Sequence, residues 1–208
     1  MHDLYSLETQ LDDWNAVIRS HPRDPKAYLG RGMIYFKLAR IEASLADFDR
    51  AEKLDPKLSP YLWQRGLSLY YAEDFEGGAR QFESGLTVNP ADVEETTWRY
   101  LCLARLHGPQ FARESLLPVG PDPRPFMHRI YALYAGKYTP ADLLAAREGE
   151  DCRSQFYTQL YLGLYYEVHD DGDRARHYLV SAARNYTQRE YMWYLACVHQ
   201  QLRGWTSE

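Results

Sequence analysis

The residues whose types could do chemistry are few and scattered. His169, Asp170, Asp171 and Asp173 gather metal-capable side chains around Gly172, yet they lack the ligand spacing and closing glutamate of a calcium loop. They read as a polar turn between two helices. The seven histidines form no H-E-x-x-H helix and sit beside no G-x-S-x-G elbow or phosphate-cradling glycine loop. Cys102, Cys152 and Cys197 are odd in number, widely spaced and without a C-x-x-C pair. That pattern reads as reduced, mostly buried thiols, not a zinc site or a disulfide frame. No catalytic residue, metal site or cofactor is expected, and the eighteen tyrosines read as packing residues. Asn185, Tyr186 and Thr187 spell a glycosylation sequon, which matters only in a secreted protein.

Arg31, Arg65 and Arg99 recur at one fixed interval and invite a reading as a basic ladder for nucleic acid. Charge speaks against it: Asp and Glu outnumber Lys and Arg by 29 to 24, for a net charge of −5, whereas phosphate binding needs a concentrated basic surface. The arginines also follow Leu29, Trp63 and Thr97 by two positions, about 200° around a helix. Their stems are expected to pack between helices while the guanidinium groups meet carboxylates or carbonyls.

The same period organises the elements that carry these residues. Arg31, Gly32, Phe48 and Pro56 recur as Arg65, Gly66, Phe82 and Pro90, and one step back from Phe48 and Pro56 lie Trp14 and Pro22. A repeat of this length is the signature of stacked helical hairpins, each unable to bury its apolar face alone. Apolar spacing predicts helices over Leu4 to Ser20, Ala27 to Ala39 and Ile41 to Leu54. A second copy runs from Ser59 to Pro90, its first helix started by Ser59-Pro60 and its second carrying Ala79, Phe82, Gly85 and Val88. A third begins at Asp92 with Tyr100 in the glycine position, then decays into Pro118, Gly120, Pro121, Pro123 and Pro125. Phe126 to Ala135 and a capped helix from Thr139 to about Arg147 precede an acidic turn at Glu148, Glu150 and Asp151. The repeat then returns at Leu162, Gly163, Tyr166, Ala175, Leu179 and Ala182. Tyr191 to Leu202 caps the chain before a frayed tail from Gly204.

These offsets resemble the tetratricopeptide repeat, whose period is about 34, with arginine where that pattern usually has leucine. The resemblance implies an all-α, right-handed superhelical solenoid of helix-turn-helix hairpins with a degenerate middle section. The expected organisation is residues 1–117, a capping helix plus regular hairpins, and residues 118–208, a Pro-rich junction, short hairpin, late hairpin and terminal helix, packed as one continuous solenoid. Trp98-Arg99-Tyr100-Leu101 and the run from Leu160 to Tyr166 also resemble bacterial tetratricopeptide adaptor lipoproteins that dock a periplasmic protease and cell-wall hydrolases, across about Tyr61 to Arg203. The lipid-anchoring cysteine of that family has no counterpart here.

In such a solenoid the first helix of each pair lines a concave face. The residues expected there are Leu29, Met33, Phe36, Trp63, Leu67, Tyr70, Trp98 and Leu101, an apolar and aromatic groove for a partner peptide or helix. The expected function is a non-enzymatic protein-protein adaptor; the alternative is a structural subunit or homodimer whose groove is permanently filled. Repeat domains that grip acidic chaperone tails use Lys, Asn and Arg on this face. Here the comparable positions hold Leu29, Met33, Gln64, Glu94 and Trp98, so that use is not expected. No apolar run is long enough to span a bilayer and no secretory leader is apparent. A soluble, cytoplasmic protein is expected, or a periplasmic or lumenal one if a targeting segment has been removed.

Overall fold

The structure, a computed structural model, describes residues 2–90, 92–146, 151–186 and 190–205. Among these, all regular structure is helical. Arg147, Glu148, Glu150, Thr187 and the last three residues of the tail lie outside the described residues. The chain divides into two compact units, Met1–Val88 and Asn89–Glu208. The break expected between residues 117 and 118 falls inside the second unit.

The first unit begins with α1 (His2–Ser20), followed by the hairpin α2 (Pro25–Lys37) and α3 (Ile41–Leu54). Asp24 starts α2 by accepting from the Lys26 N–H at 2.9 Å, with Pro25 in the first turn, where the missing N–H costs nothing. Ala39, at a φ of 57°, reverses the chain into α3. The second hairpin departs from expectation at its start. Pro56–Tyr61 forms a separate 3-10 turn, and α4 (Trp63–Tyr71) begins beyond it. Ser59-Pro60 therefore caps nothing: Asp55 caps the turn through the Lys57 N–H, and the Ser59 carbonyl instead accepts from Gln81 Nε2 at 2.7 Å. The partner helix α5 (Phe75–Leu86) stops short of Val88, which is 43% exposed and does not join the packing stripe.

Helices pack on their sequence neighbours, α1 on α2, α2 on α3, α3 on α4 and α4 on α5. Each hairpin closes at one point. A Cβ placed on Gly66 would lie 2.6 Å from Phe82 Cζ, and one on Gly32 would lie 3.1 Å from Phe48 Cε1. Both phenylalanines are buried. Ser44, fully buried, donates to the Gly32 carbonyl at 2.8 Å and meets the Ser68 hydroxyl at 3.0 Å, which ties α3 to both first helices with its hydroxyl satisfied.

The second unit starts with α6 (Val93–His107), capped by Asp92 through the Glu95 N–H at 2.8 Å. Tyr100 fills the glycine position; it is buried and donates to the Pro109 carbonyl at 3.2 Å. With that ring in the way of close approach, the expected partner is reduced to α7 (Pro109–Glu114). A non-helical Pro-rich strap follows, then α8 (Pro125–Tyr134) and α9 (Pro140–Ala145), the latter opened by a capping box between Thr139 and Asp142. The regular pattern resumes in α10 (Cys152–Val168) and α11 (Gly172–Asn185), where Gly163 faces Leu179, and α12 (Tyr191–Leu202) packs on α11. Cys102 is buried and Cys197 partly so, but Cys152, the first residue of α10, is exposed. No helix among the described residues is long and apolar enough to cross a membrane.

The glycine contacts set a differential test. Gly66→Ala should cost about 1–3 kcal/mol through overpacking against Phe82. Gly172→Ala, with nothing within 4 Å of the added carbon, should be neutral or stabilise by about 0.4–1 kcal/mol. Urea midpoints of the two variants would check this, and equal effects would refute the packing account.

Candidate protein-interaction surface

The three period-related arginines are structural. Arg31 reaches the Asp47 carboxylate with two bonds, Nε to Oδ2 at 2.7 Å and Nη2 to Oδ1 at 2.8 Å, and donates to Asn15 Oδ1 at 2.9 Å. Its guanidinium also lies over the rings of Tyr28 and Tyr35, 5.7 and 5.6 Å from their centroids. Arg65 binds Asp49 at 2.9 Å and Gln81 at 3.1 Å, and Arg99 donates to the Ser115 carbonyl at 2.9 Å. Every one of these hydrogen-bond acceptors lies 16 residues before or after its arginine. One side chain thus clips the second helix of its own hairpin and, for Arg31 and Arg65, that of the preceding element. The same offset, stepped in both directions from each arginine along the sequence, would have found all five partners.

The expected groove residues separate into two groups. Leu29 and Met33, one turn apart on α2, and Trp63 at the start of α4 are half-buried, and Gln64 Nε2 lies 3.9 Å from Met33 Sδ. The other five are core. Phe36, Leu67, Tyr70, Trp98 and Leu101 are each at most 2% exposed, which corrects their expected place on an open face. Phe36 meets the ring of Tyr71 at 5.8 Å and Tyr70 that of Phe75 at 5.3 Å, so the C-terminal ends of α2 and α4 are covered by their neighbours. Trp98 and Leu101 are enclosed because α6 packs on α7, α8 and α10.

A half-buried polar cluster in the second unit was not legible in the sequence. Arg124, at the end of the strap, binds Asp122 at 2.9 Å and Glu94 Oε2 at 2.6 Å, and Tyr161 donates to Glu94 Oε1 at 3.2 Å. Burial pushes the Glu94 carboxyl up against the pull of Arg124. Next to it, Glu95 is pushed up to about 7, by burial first and then by the charges of Asp92 and Glu94. Its Oε2 is buried with no hydrogen-bonding partner among the described residues. In α10, Glu167 goes the other way. Burial alone would raise it, but His199, with Nε2 at 3.4 Å, and Arg203, donating at 2.7 Å, overcome that and hold it at about 2.

The turn from His169 to Asp173 is consumed locally. His169 Nδ1 lies 2.7 Å from the Tyr165 carbonyl, and Asp171 caps α11 through the Arg174 N–H while pairing with its guanidinium. Among the described residues no group of three or more His, Cys, Asp or Glu could hold a metal ion.

With helices packed in neighbouring pairs and a glycine contact closing the regular hairpins, the fold is an all-α one of tetratricopeptide type. A family model for the tetratricopeptide repeat matches residues 11–59, the stretch that holds α2 and α3. Among curated proteins, the chain is 26% identical over 81 residues to the Hsp70-Hsp90 organizing protein of Triticum aestivum, covering 39% of this chain and 14% of that protein. It is 25% identical over 81 residues, with the same coverage, to Hsp70-Hsp90 organizing protein 2 of Arabidopsis thaliana. Over 103 residues it is 23% identical to the Protein SGT1 homolog of Bos taurus, covering 50% of this chain and 30% of that one. The chain therefore spans less than a third of the length of each of these relatives.

Two outcomes test the electrostatics. Asp47→Ala, which strands a guanidinium, should destabilise by about 2–3 kcal/mol, and Arg31→Lys, which keeps the charge but loses the fork, by about 1–2 kcal/mol; urea titration distinguishes them. The two perturbed glutamates bracket a pH optimum. Glu167 has a lowered folded pKa, so its stabilisation is complete above about pH 4.5 and is lost as the pH falls towards 2. Glu95 has a raised one, so the native state loses stability as the pH rises from about 4.5 to 7. Glu95→Gln should raise the melting temperature at pH 8 and leave it unchanged at pH 4, whereas Glu167→Gln should lower it at pH 7 and converge with wild type near pH 2.

Proposed function

We propose that the protein is a non-enzymatic adaptor that holds a partner protein through the first unit, with Leu29, Met33 and Trp63 as anchors. The observation that carries this reading is their partial exposure: three large apolar side chains at the expected groove positions of consecutive first helices stay half-open, while Phe36, Leu67 and Tyr70 of the same helices are buried. An amphipathic helix or extended peptide suits such a strip, since apolar anchors supply affinity without a preformed pocket. Nucleic acid suits it poorly, because Arg31, Arg65 and Arg99 all have partners within the protein.

The names of two of these relatives speak of organizing Hsp70 and Hsp90, and an adaptor role for this chain is in keeping with that. The mode of contact differs from a cationic grip on an acidic tail. Leu29, Met33 and Gln64 offer no cation, Glu94 is half-buried and paired with Arg124, and Trp98 is 2% exposed. The resemblance to bacterial adaptor lipoproteins over Tyr61 to Arg203 carries the same adaptor reading, with a protease or hydrolase as the partner class.

Met33→Glu combined with Trp63→Ala should abolish association with a captured partner, or self-association measured by light scattering, while far-UV circular dichroism stays unchanged. Loss of self-association would select the homodimer in which a second copy occupies the strip. Unchanged association in both assays would remove the adaptor surface from α2 and α4.

A further inference from the structure

We propose that the outer face of α11 docks an acidic segment of a partner protein. This surface belongs to the second unit and is independent of the strip on α2 and α4. Helix α11 buries Ala175, Leu179 and Ala182. On its other side Asp173, Arg176, His177, Val180 and Arg184 fall within about 100° of arc at 100° per residue. With Trp205, which follows α12, they line a cavity of about 310 Å³.

Charge identifies the occupant. The chain has a net charge of −5, yet this one helix carries Arg174, Arg176 and Arg184 against Asp173 alone. Arg174 is committed, bonded to Asp171 at 2.6 Å and lying 4.3 Å from the Tyr166 ring centroid. Arg176 and Arg184 are exposed and form no ion pair or hydrogen bond with the described residues. Arg31 and Arg124 show the carboxylate forks a guanidinium forms in this protein, so two left open around an apolar floor of Val180 and Trp205 offer forks to another chain's carboxylates. They stand about 12 Å apart along the helix axis, at positions i and i+8. A complementary segment therefore carries two carboxylates about that far apart with an apolar side chain between them, the spacing of Glu at i and i+8 with Leu at i+4 on a helix. Its own arginines would be repelled here, which excludes basic partners.

The probe is a fluorescein-labelled, alanine-based helical peptide with glutamates at i and i+8 and leucine midway, titrated with the full chain and followed by anisotropy. Matched peptides carry glutamine or lysine in place of glutamate. The glutamate peptide should bind at least about tenfold more tightly than the glutamine one, and its affinity should fall as salt rises. Arg176→Glu combined with Arg184→Glu should remove that preference and transfer binding to the lysine peptide. Both positions are exposed, so circular dichroism should not change, and Trp205→Ala should weaken the glutamate and glutamine peptides alike. Equal binding of the glutamate and glutamine peptides, or an unaltered preference in the double-reversal variant, overturns the proposal. So does sedimentation showing a dimer that the same reversal dissolves, which would assign the face to a second copy of the chain.

Discussion

The regular hairpins depend on two helices approaching so closely at one level that a Cβ placed on one of them would lie 3.1 Å or less from the side chain opposite. Gly32 against Phe48, Gly66 against Phe82 and Gly163 against Leu179 share one sequence separation, the same that links Arg31 to Asp47. That separation follows from geometry: a fixed number of turns up one helix, a short reversal and the same number down the other bring the glycine and the large side chain to one height. Helix α1 uses the same rule from outside. Trp14 presses on Gly30 across an equal stretch of chain, so α2 carries one glycine for the helix before it and another for the helix after it.

A polar contact of the same span works beside the apolar one. Each arginine sits next to the glycine position, on the side of the helix away from Leu29 and Trp63, and reaches partners at the matching offset. A planar fork is suited to this because it can serve two neighbours at once with little rotamer freedom lost per bond. Ion pairs of this kind contribute less to net stability than to holding one register, since desolvation offsets most of the Coulombic gain. Positive charge spent in this way is withdrawn from the surface.

Where glycine is lost, the architecture changes in a definite direction. Tyr100 occupies the closing point of the third hairpin, the second helix shrinks to six residues, and a proline-rich strap takes over. Tyrosine rings then fill the space: Tyr100 meets Tyr134 at 5.0 Å, and Tyr134 meets Tyr165 at 5.6 Å and donates to the Tyr161 carbonyl at 2.9 Å. The strap is held by Arg124, whose bonds to Glu94 and Asp122 place a charged cluster inside the unit. The pair is the specific constraint on an otherwise irregular segment, and Glu95, pushed up beside it with a buried oxygen unpartnered among the described residues, is what that arrangement costs.

The sequence by itself determined the helices, their pairing and the inward direction of the arginines, because a fixed period and the offsets within it are local properties that chain geometry translates directly into contacts. Even the capping of α9 by Thr139 and Asp142 could be read from four letters. It could not show that Ser59-Pro60 belongs to a separate turn, since several starts satisfy the same capping rules and only packing against Gln81 selects one. Nor could it separate Leu29, Met33 and Trp63 from Phe36, Leu67, Tyr70, Trp98 and Leu101. All eight share a helical face, and whether a side chain on that face stays open depends on how close the next helix lies, a distance set by tertiary packing. Glu94 and Arg124 are 30 residues apart in no repeating register. Only the folded course of the strap brings them together, and so only the tertiary structure decided where the second unit keeps its charge.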